Sequence, residues 1–513
     1  MRGFPDMTTM RTPKPAATRA ATRAARFRTT ITCAALLAIA VGGCSEFLDV
    51  NENPNAPVQA RVEIRIPALI TMFAHSTYYG ETALWGSEWT QQFSFNRERR
   101  SYAQWHRYEL SETDATTAWD YFYTRPTREA RNVIDDASDD ASIYYRGIGK
   151  LFYAWSFQII TDLWGPVPYN DALNPTIREP SYQEQKVVYA GIQKNLEEAV
   201  ADMSSPTGRR PTSNDLLFAG DMTRWVKLAR HLQTRMHLRL AYAPGEDKTA
   251  RANSALAALA GAFASNADDA DFTYPGGVNA RNPLWTFEDQ RNQFVAAEFL
   301  VEMLKARSDP RLPIMFTPIV FDSIRGTTRF PSTRPTYVGH TSGGATVADS
   351  TVSWIGTYYT TESAPLSIAS FSDQKFTEAE ARLIVSGAAA ADAPYRDGIR
   401  AHMQKLGVPA AAITAYVTAR PSLTTVANPL AEIITQKYIA NFLKVEPWND
   451  WRRTGFPVLP SPVEQALLPG IPQRIRTPGS ELSNNVNQVT ATGIKIGLEG
   501  MMTKVWWASQ GPR

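Results

Sequence analysis

The chain has 513 residues, of which 43% are hydrophobic and 20% are charged, proportions that are ordinary for a globular protein. Its formal net charge is +3, but residues 1–43 hold seven basic residues and one acidic residue, so the rest of the chain has a net charge of −3. A mildly acidic body lacks the clustered Lys and Arg of nucleic-acid-binding proteins, and we expect no nucleic-acid partner.

The first predicted element is a secretory signal. Basic residues between positions 19 and 28 precede an apolar run that begins near Ile31, and this run is too short for a membrane span, which needs roughly 20 residues. Three small or apolar residues, 41–43, then precede Cys44, and the combination resembles the lipobox of bacterial lipoproteins. The resemblance implies that residues 1–43 are a signal peptide and that Cys44 becomes the acylated first residue. The alternatives are an ordinary signal peptide with a chance cysteine, or a buried helix.

Residues 44–60 predict a tether, because asparagine and proline recur between positions 51 and 57 and favour turns over regular structure. Residues 61–513 are predicted to form a single domain. Cys33 lies in the leader and Cys44 would carry lipid, so no thiol remains for a disulfide or a cysteine metal site.

The next segment, residues 85–108, is unusually rich in aromatic side chains, with amides and arginines between them. Rings that stack on sugar faces, beside donors for hydroxyl groups, are typical of a carbohydrate site. Between Phe95 and Trp105 the segment lacks a helical period, which favours exposed rings there. Trp85 and Trp89 are four residues apart, a spacing that equally fits the core face of one helix. The candidate ligand-binding residues are Phe95, Asn96, Tyr102 and Trp105, followed by Trp85 and Trp89.

Most of the remaining chain predicts helices, so the expected fold class is mainly α. Apolar residues spaced three and four apart form stripes that we interpret as packed core. The three clearest stripes begin at Ile148, Trp225 and Leu430; Arg235 and Arg239 fall off the second stripe. Thr377 with Glu380 fits a capping box and predicts a helix start there.

Two irregular segments interrupt the helices, at residues 266–292 and 308–366. They are rich in Pro, Gly, Ser, Thr and aromatics, and loops this long are often binding segments. Short alternating pieces such as residues 351–355 predict small β-hairpins. Asp268, Asp269 and Asp271 offer a calcium site or, alternatively, a solvated acidic turn.

No motif in the sequence requires catalysis. The chain lacks G-x-S-x-G, H-E-x-x-H and phosphate-loop motifs, and we expect no cofactor. With 50 acidic residues, however, sequence alone leaves open a pair of glycosidase carboxylates.

Three blocks of sequence resemble the SusD/RagB family of outer-membrane nutrient-binding lipoproteins. Residues 47–55 include FLDVN and NPN, residues 161–169 are TDLWGPVPY, and residues 446–457 are EPWNDWRRTGFP, followed by RTP at 476–478. The resemblance covers essentially the whole mature chain.

This resemblance implies a fold of four tetratricopeptide-like helix pairs with long irregular loops and minor β-hairpins. It also implies a lipid-anchored protein on the exterior of the outer membrane, which binds oligosaccharides or peptides and delivers them to a SusC-like TonB-dependent transporter. The ligand surface of the family lies in loops, which here would add Tyr274, Trp285 or Trp354. A secreted lipoprotein glycoside hydrolase and a helical scaffold lipoprotein without a small ligand are the alternatives.

In the third block, Asp450 beside Arg452 and Arg453 is able to form a bidentate, charge-assisted pair, with Trp451 and Trp448 packed around it. We interpret this group as a structural clasp rather than a ligand site.

Overall fold

Helices make up most of the chain, as expected. The computed structural model describes residues 61–78, 81–95, 103–285, 294–325 and 328–509, so Cys44 and the leader lie outside the described residues. The helices, in chain order, are α1 (Val62–Tyr78), α2 (Glu81–Trp89), α3 (Glu112–Phe122), α4 (Arg128–Asp136), α5 (Ile143–Trp164), α6 (Gln185–Met203), α7 (Met222–Arg239), α8 (Lys248–Ala258), α9 (Glu298–Ala306), α10 (Leu312–Met315), α11 (Thr357–Thr360), α12 (Phe371–Ser386), α13 (Ala388–Lys405), α14 (Ala410–Ala419), α15 (Pro429–Ala440), α16 (Glu446–Thr454), α17 (Gly479–Asn484) and α18 (Val486–Ala491).

Helices that are neighbours in the sequence pack on one another. This holds for α4 on α5, α5 on α6, α6 on α7, α7 on α8 and α12 on α13, while α12 also packs on α8 and α15. Almost every residue of α5 from Tyr144 onward is buried, because the helix is apolar on all sides rather than along one stripe. Gly165, with a φ of +82°, ends this helix and donates its N–H to the carbonyl of Thr161.

Side-chain caps begin several helices, although the predicted capping box is wrong. Asp221 accepts hydrogen bonds from the N–H groups of the first turn of α7, and Asn428 does the same for α15. Helix α12 starts at Phe371, six residues before Thr377, with Ser370 as its cap. Glu380 is therefore an interior residue of α12 and is free for a tertiary partner.

The strands are short and form antiparallel pairs. They are β1 (Phe93–Phe95), β2 (Val167–Pro168), β3 (Tyr182–Gln183), β4 (Ala270–Thr273), β5 (Phe294–Ala296), β6 (Ile319–Arg325), β7 (Thr328–Thr336) and β8 (Pro365–Ala369). The pairs are β1–β5, β2–β3, β4–β8 and β6–β7. The last pair is a hairpin, as predicted for this irregular segment. Residues 351–355 instead form single bridges, from Trp354 to Val295 and from Ile355 to Phe316.

A buried network of charged side chains joins α5, α7, α12, α15 and α16. Arg239 of α7 bonds both Asp162 of α5 and Glu446 of α16. Arg235 donates to Asp373 of α12 at 3.0 Å. Both arginines are buried, although they lie off the apolar stripe of their helix, because each has carboxylate partners inside the protein.

Arg61–Arg513 cluster as one unit. Within the described part of that unit, no helix combines the length and the apolarity that a membrane crossing requires.

Candidate functional site

The aromatic residues predicted to bind ligand lie in the core. Trp105 has 0% and Phe95 has 2% of its surface exposed, and Trp85 and Trp89 are equally buried. The expectation that Phe95 and Trp105 present exposed rings is therefore wrong, while the alternative that Trp85 and Trp89 face the core agrees with the structure. Asn96 and Tyr102 lie outside the described residues.

These rings are buried because they pack against aromatic rings of other segments of the chain. The Trp105 ring meets the Trp85 ring edge-on, with 5.6 Å between centroids, and Trp89 meets Trp448 of α16 at 5.1 Å. Phe95 pairs with Phe294 across β1 and β5, and their rings are 5.2 Å apart. The Trp89–Trp448 and Phe95–Phe294 contacts thus join segments that lie about 200 or more residues apart in the chain, and such large apolar surfaces are best removed from water there.

An open groove lies between helix α1 and the irregular segment that follows β4. Its volume is about 500 Å³, within the usual range for small-molecule sites. Aromatic and apolar side chains form much of its wall, and amide, hydroxyl and guanidinium groups are interspersed among them. The lining residues are Thr71, His75, Leu216, Phe272, Thr273, Tyr274, Pro275, Val278, Asn279, Ala280, Arg281 and Pro283.

Fixed contacts hold the wall formed by residues 275–285. The Asn282 N–H donates to the carbonyl of Glu362 at 2.6 Å, and the Asn282 side-chain amide donates to the carbonyl of Ala364 at 2.9 Å. The Gly277 N–H donates to the Glu362 carboxylate at 3.1 Å, and the φ of +78° at Gly277 favours glycine at this turn. This wall is therefore positioned before any ligand arrives.

Arg281 is held on two sides. Its guanidinium lies 4.0 Å from the centre of the Trp285 ring, and its Nε is 3.3 Å from a Glu362 oxygen. On the opposite wall, burial and then the Arg125 charge lower the pKa of His75 to about 4, so His75 is neutral at pH 7. Among the described lining residues, Arg281 is then the one charged group, and a carboxylate already balances it. Such a surface suits a neutral, hydroxyl-rich ligand.

The structure brings together two of the three aromatic residues that the resemblance added. Tyr274 lines the groove beside Phe272, with ring centres 5.0 Å apart. Trp285 does not itself line the groove, but it stacks on the lining residue Arg281. Trp354 is half-buried on a separate set of short strands, bridged to Val295 of β5.

The sequence reasoning missed His75, Asn279 and Arg281 as candidates. The irregular, glycine- and proline-rich character of residues 266–292 marked the segment, but no local signal indicated that helix α1, about 200 residues earlier, forms the opposite wall.

The three aspartates near position 270 have basic partners. Lys227 Nζ lies 2.8 Å from Asp268, and Lys405 Nζ lies 2.5 Å from Asp269 and 2.8 Å from Asp271. Asp268 and Asp269 are buried, so the solvated acidic turn is wrong for them. The described residues contain no group of three or more His, Cys, Asp or Glu placed to hold a metal ion.

The residues of the predicted clasp lie in the buried charge network, with one difference in pairing. Arg453 forms its bidentate pair with Glu380 of α12, and makes a single contact of 2.9 Å with Asp450. Asp450 also pairs with Lys437 at 3.1 Å.

Arg452 contributes to the clasp without a carboxylate. It donates to the backbone carbonyls of Asp162 and Gln473 at 2.7 and 2.9 Å, and lies 3.6 Å above the Trp448 ring. Trp451 is half-buried at the edge of the clasp. Through Asp162 and Gln473, these contacts connect α16 to α5 and to the segment that follows α16.

Comparison with known proteins identifies both a family and a fold. The family SusD-like_2, described as "Starch-binding associating with outer membrane", matches residues 55–478. A chitin-binding protein of known structure aligns with a TM-score of 0.74 at 23% identity, covering 88% of this chain and 99% of its own. A chitin-binding SusD homologue from Flavobacterium johnsoniae gives 0.74 at 20% identity, covering 87% and 99%. A SusD/RagB family protein from Bacteroides thetaiotaomicron gives 0.73 at 23% identity, covering 89% and 100%. None of the curated proteins compared with the chain matches it.

Proposed function

The chain belongs to the SusD-like family, and on that premise we propose that it binds a neutral oligosaccharide in the groove between α1 and residues 272–283. The observation that carries the proposal is the character of this groove: it is open, is lined by Phe272 and Tyr274, and offers the amide of Asn279 and the balanced guanidinium of Arg281. Aromatic faces and a few oriented donors are what a sugar ring requires.

Two structures that share the fold are chitin-binding proteins by their printed names, which makes chitin oligosaccharides the first probes to use. Malto-oligosaccharides are the second, because the family is described as starch-binding.

Binding without turnover is better supported than glycoside hydrolysis. Glycoside hydrolysis uses a pair of carboxylic acids that flank the scissile bond. Among the described residues that line the groove there is no Asp or Glu, and Glu362 is occupied by Arg281 and by the Gly277 N–H. We therefore assign the groove to capture of the ligand rather than to its cleavage.

A substitution that fills the groove tests its assignment. Val278 lines the groove with 82% of its surface exposed, so Val278→Arg adds bulk and a second positive charge without disturbing the core. We expect affinity for the bound oligosaccharide to fall about tenfold or more in calorimetric titration. The matched control is Val486→Arg, at an exposed valine of α18 that does not line the groove. Equal affinities of wild type and Val278→Arg would place the ligand elsewhere.

Delivery requires an anchor and a transporter. We propose that Cys44 carries the lipid, that the protein faces the exterior of the outer membrane, and that a SusC-like TonB-dependent barrel receives the ligand. Two or more acyl chains make membrane attachment stable, whereas one chain does so only marginally. Cys44→Ala should move the protein from the membrane to the soluble fraction. Retention of the variant in salt-washed membranes would contradict the lipid anchor.

The transporter is tested separately. A tagged wild-type copy in its native host should co-purify with a large outer-membrane barrel. Repeated absence of a barrel from the purified material would contradict the partnership.

A further inference from the structure

A second, smaller cavity lies near α11, and its lining residue Leu284 directly follows Pro283 of the groove. Its volume is about 50 Å³, room for roughly three to five water-sized groups. The walls are mainly apolar, and three basic side chains, His402, Lys405 and Lys444, are also part of the lining. The main apolar residues are Leu284, Tyr359, Leu366, Leu406, Phe442 and Leu443.

Among the described residues, Lys444 has no charged partner in contact, unlike Lys405 and Lys437. It is 9% exposed, yet within the described chain its ammonium group makes no ion pair and no hydrogen bond. Lys405 has Asp269 and Asp271 as partners, and Lys437 has Asp450. A buried charge without a partner is costly.

The electrostatic surroundings of Lys444 leave it charged at neutral pH. Burial is the main effect and lowers its pKa to about 8. Among its neighbours, Asp373 and Asp269 favour the charged form, and Lys405 and Arg235 oppose it. Neither carboxylate reaches the ammonium group, so the cation lines the cavity without a counterion in contact.

His402 is a second polar residue in the lining of the same cavity. Its Nδ1 lies 3.1 Å from Nη1 of Arg311, and a guanidinium has hydrogen-bond donors only. Nδ1 must therefore accept, which places the ring proton on Nε2. Burial and the Arg311 charge hold the pKa of His402 well below its usual range, so the ring is neutral.

We propose that this cavity binds a compact carboxylate, such as acetate or formate, with its charge paired to Lys444, a hydrogen bond from His402 Nε2, and its apolar end against Phe442 and Leu366. One cation and one neutral donor match the single charge and two oxygens of a carboxylate. A larger acid, such as a uronic acid, exceeds the volume of the cavity. This site is independent of the proposed sugar groove.

Thermal unfolding in sodium acetate, compared with sodium chloride at equal ionic strength, tests the proposal. For the wild type we expect a saturable rise in Tm of about 1–2 °C above the chloride series. Lys444→Met keeps an unbranched side chain, shorter by the terminal nitrogen, and removes its charge; it should abolish the difference between the two salts. Lys194→Met, at a lysine whose side chain is 77% exposed, should respond as the wild type does. Sodium glucuronate should have no more effect than chloride.

The outcomes that overturn the proposal are definite. They are an equal response to acetate and chloride in the wild type, a response retained by Lys444→Met, or a stronger response to glucuronate than to acetate. A second measurement does not depend on the stability of the variant: ¹³Cε-labelled lysine gives a Lys444 resonance, identified by its absence in Lys444→Met, that acetate should shift saturably and chloride should not. An unshifted resonance would also overturn the assignment.

Discussion

The aromatic side chains between positions 85 and 108 show how one residue type serves two purposes that look alike in a sequence. A ring that stacks on a sugar and a ring that fills a core both need a flat apolar face. Trp105 is fully buried, and its indole nitrogen lies 3.4 Å from an oxygen of Asp114, a distance that allows a long hydrogen bond. The indole N–H thus has a carboxylate partner, and the faces of the ring lie in the core. The ring is therefore satisfied by the protein itself, without contact to solvent or ligand.

Trp105→Ala is accordingly expected to destabilise the protein. Removal of a fully buried indole leaves a cavity and typically costs about 3–5 kcal/mol. Urea unfolding of wild type and variant measures the loss. Trp285→Ala is the comparison, because that ring is half-buried and its described contact is the stack with Arg281; we expect about 1 kcal/mol there. A Trp105→Ala protein as stable as the wild type would contradict the buried position.

Helix α16 makes polar contacts with four other helices. Its residues Glu446, Asp450, Arg452 and Arg453 reach partners on α5, α7, α12 and α15. Because each partner belongs to a different helix, the network requires one arrangement of all five helices at once. We infer that it specifies the relative positions of these helices more than it adds to net stability, since buried pairs repay a large desolvation cost.

The pair between α12 and α16 is open to a direct test. Glu380→Gln keeps the shape of the side chain but leaves the guanidinium of Arg453 without its bidentate carboxylate. We expect a loss of about 2 kcal/mol or more in chemical unfolding, since hydrogen bonds to buried charged groups contribute that much. Glu302→Gln removes an exposed pair with Lys305 instead, and should change stability by less than about 1 kcal/mol. Equal effects of the two substitutions would show that the buried pair has no special weight.

Across the whole molecule, histidines are mostly buried and neutral. Burial lowers the pKa of His75, His106 and His237 to about 4 and that of His231 to about 3. In the unfolded chain these groups titrate near 6.5. Below that pH the unfolded state binds protons that the folded state does not, so the histidines favour unfolding as pH falls from about 6.5 to about 4. Glu88 acts in the opposite direction, because burial raises its pKa.

A difference between two proteins isolates the contribution of one histidine. His237→Gln removes a titrating group that is only partly buried, so the variant should fold. Between pH 7 and pH 5 the free energy of unfolding of the wild type should fall by about 2 kcal/mol more than that of the variant. Denaturant unfolding of both proteins at several pH values gives this quantity. Parallel pH profiles would mean that His237 titrates normally in the folded state.

The sequence alone determined the helical class, the family blocks and the two irregular segments. Local patterns were sufficient for these features: the spacing of apolar residues in α5, α7 and α15 reports a helix because the period belongs to the helix itself. The block at residues 161–169 likewise marks the end of α5 and the start of β2.

The tertiary structure alone decided which polar groups meet and which rings are covered. Arg235, Arg239 and Glu380 look like surface or capping residues in their own helices, and their partners lie between 70 and 210 positions away in the chain. The groove likewise joins α1 to residues 272–283. A one-dimensional period reports which face of a helix is apolar; it carries no information about the charge that another helix presents to that face.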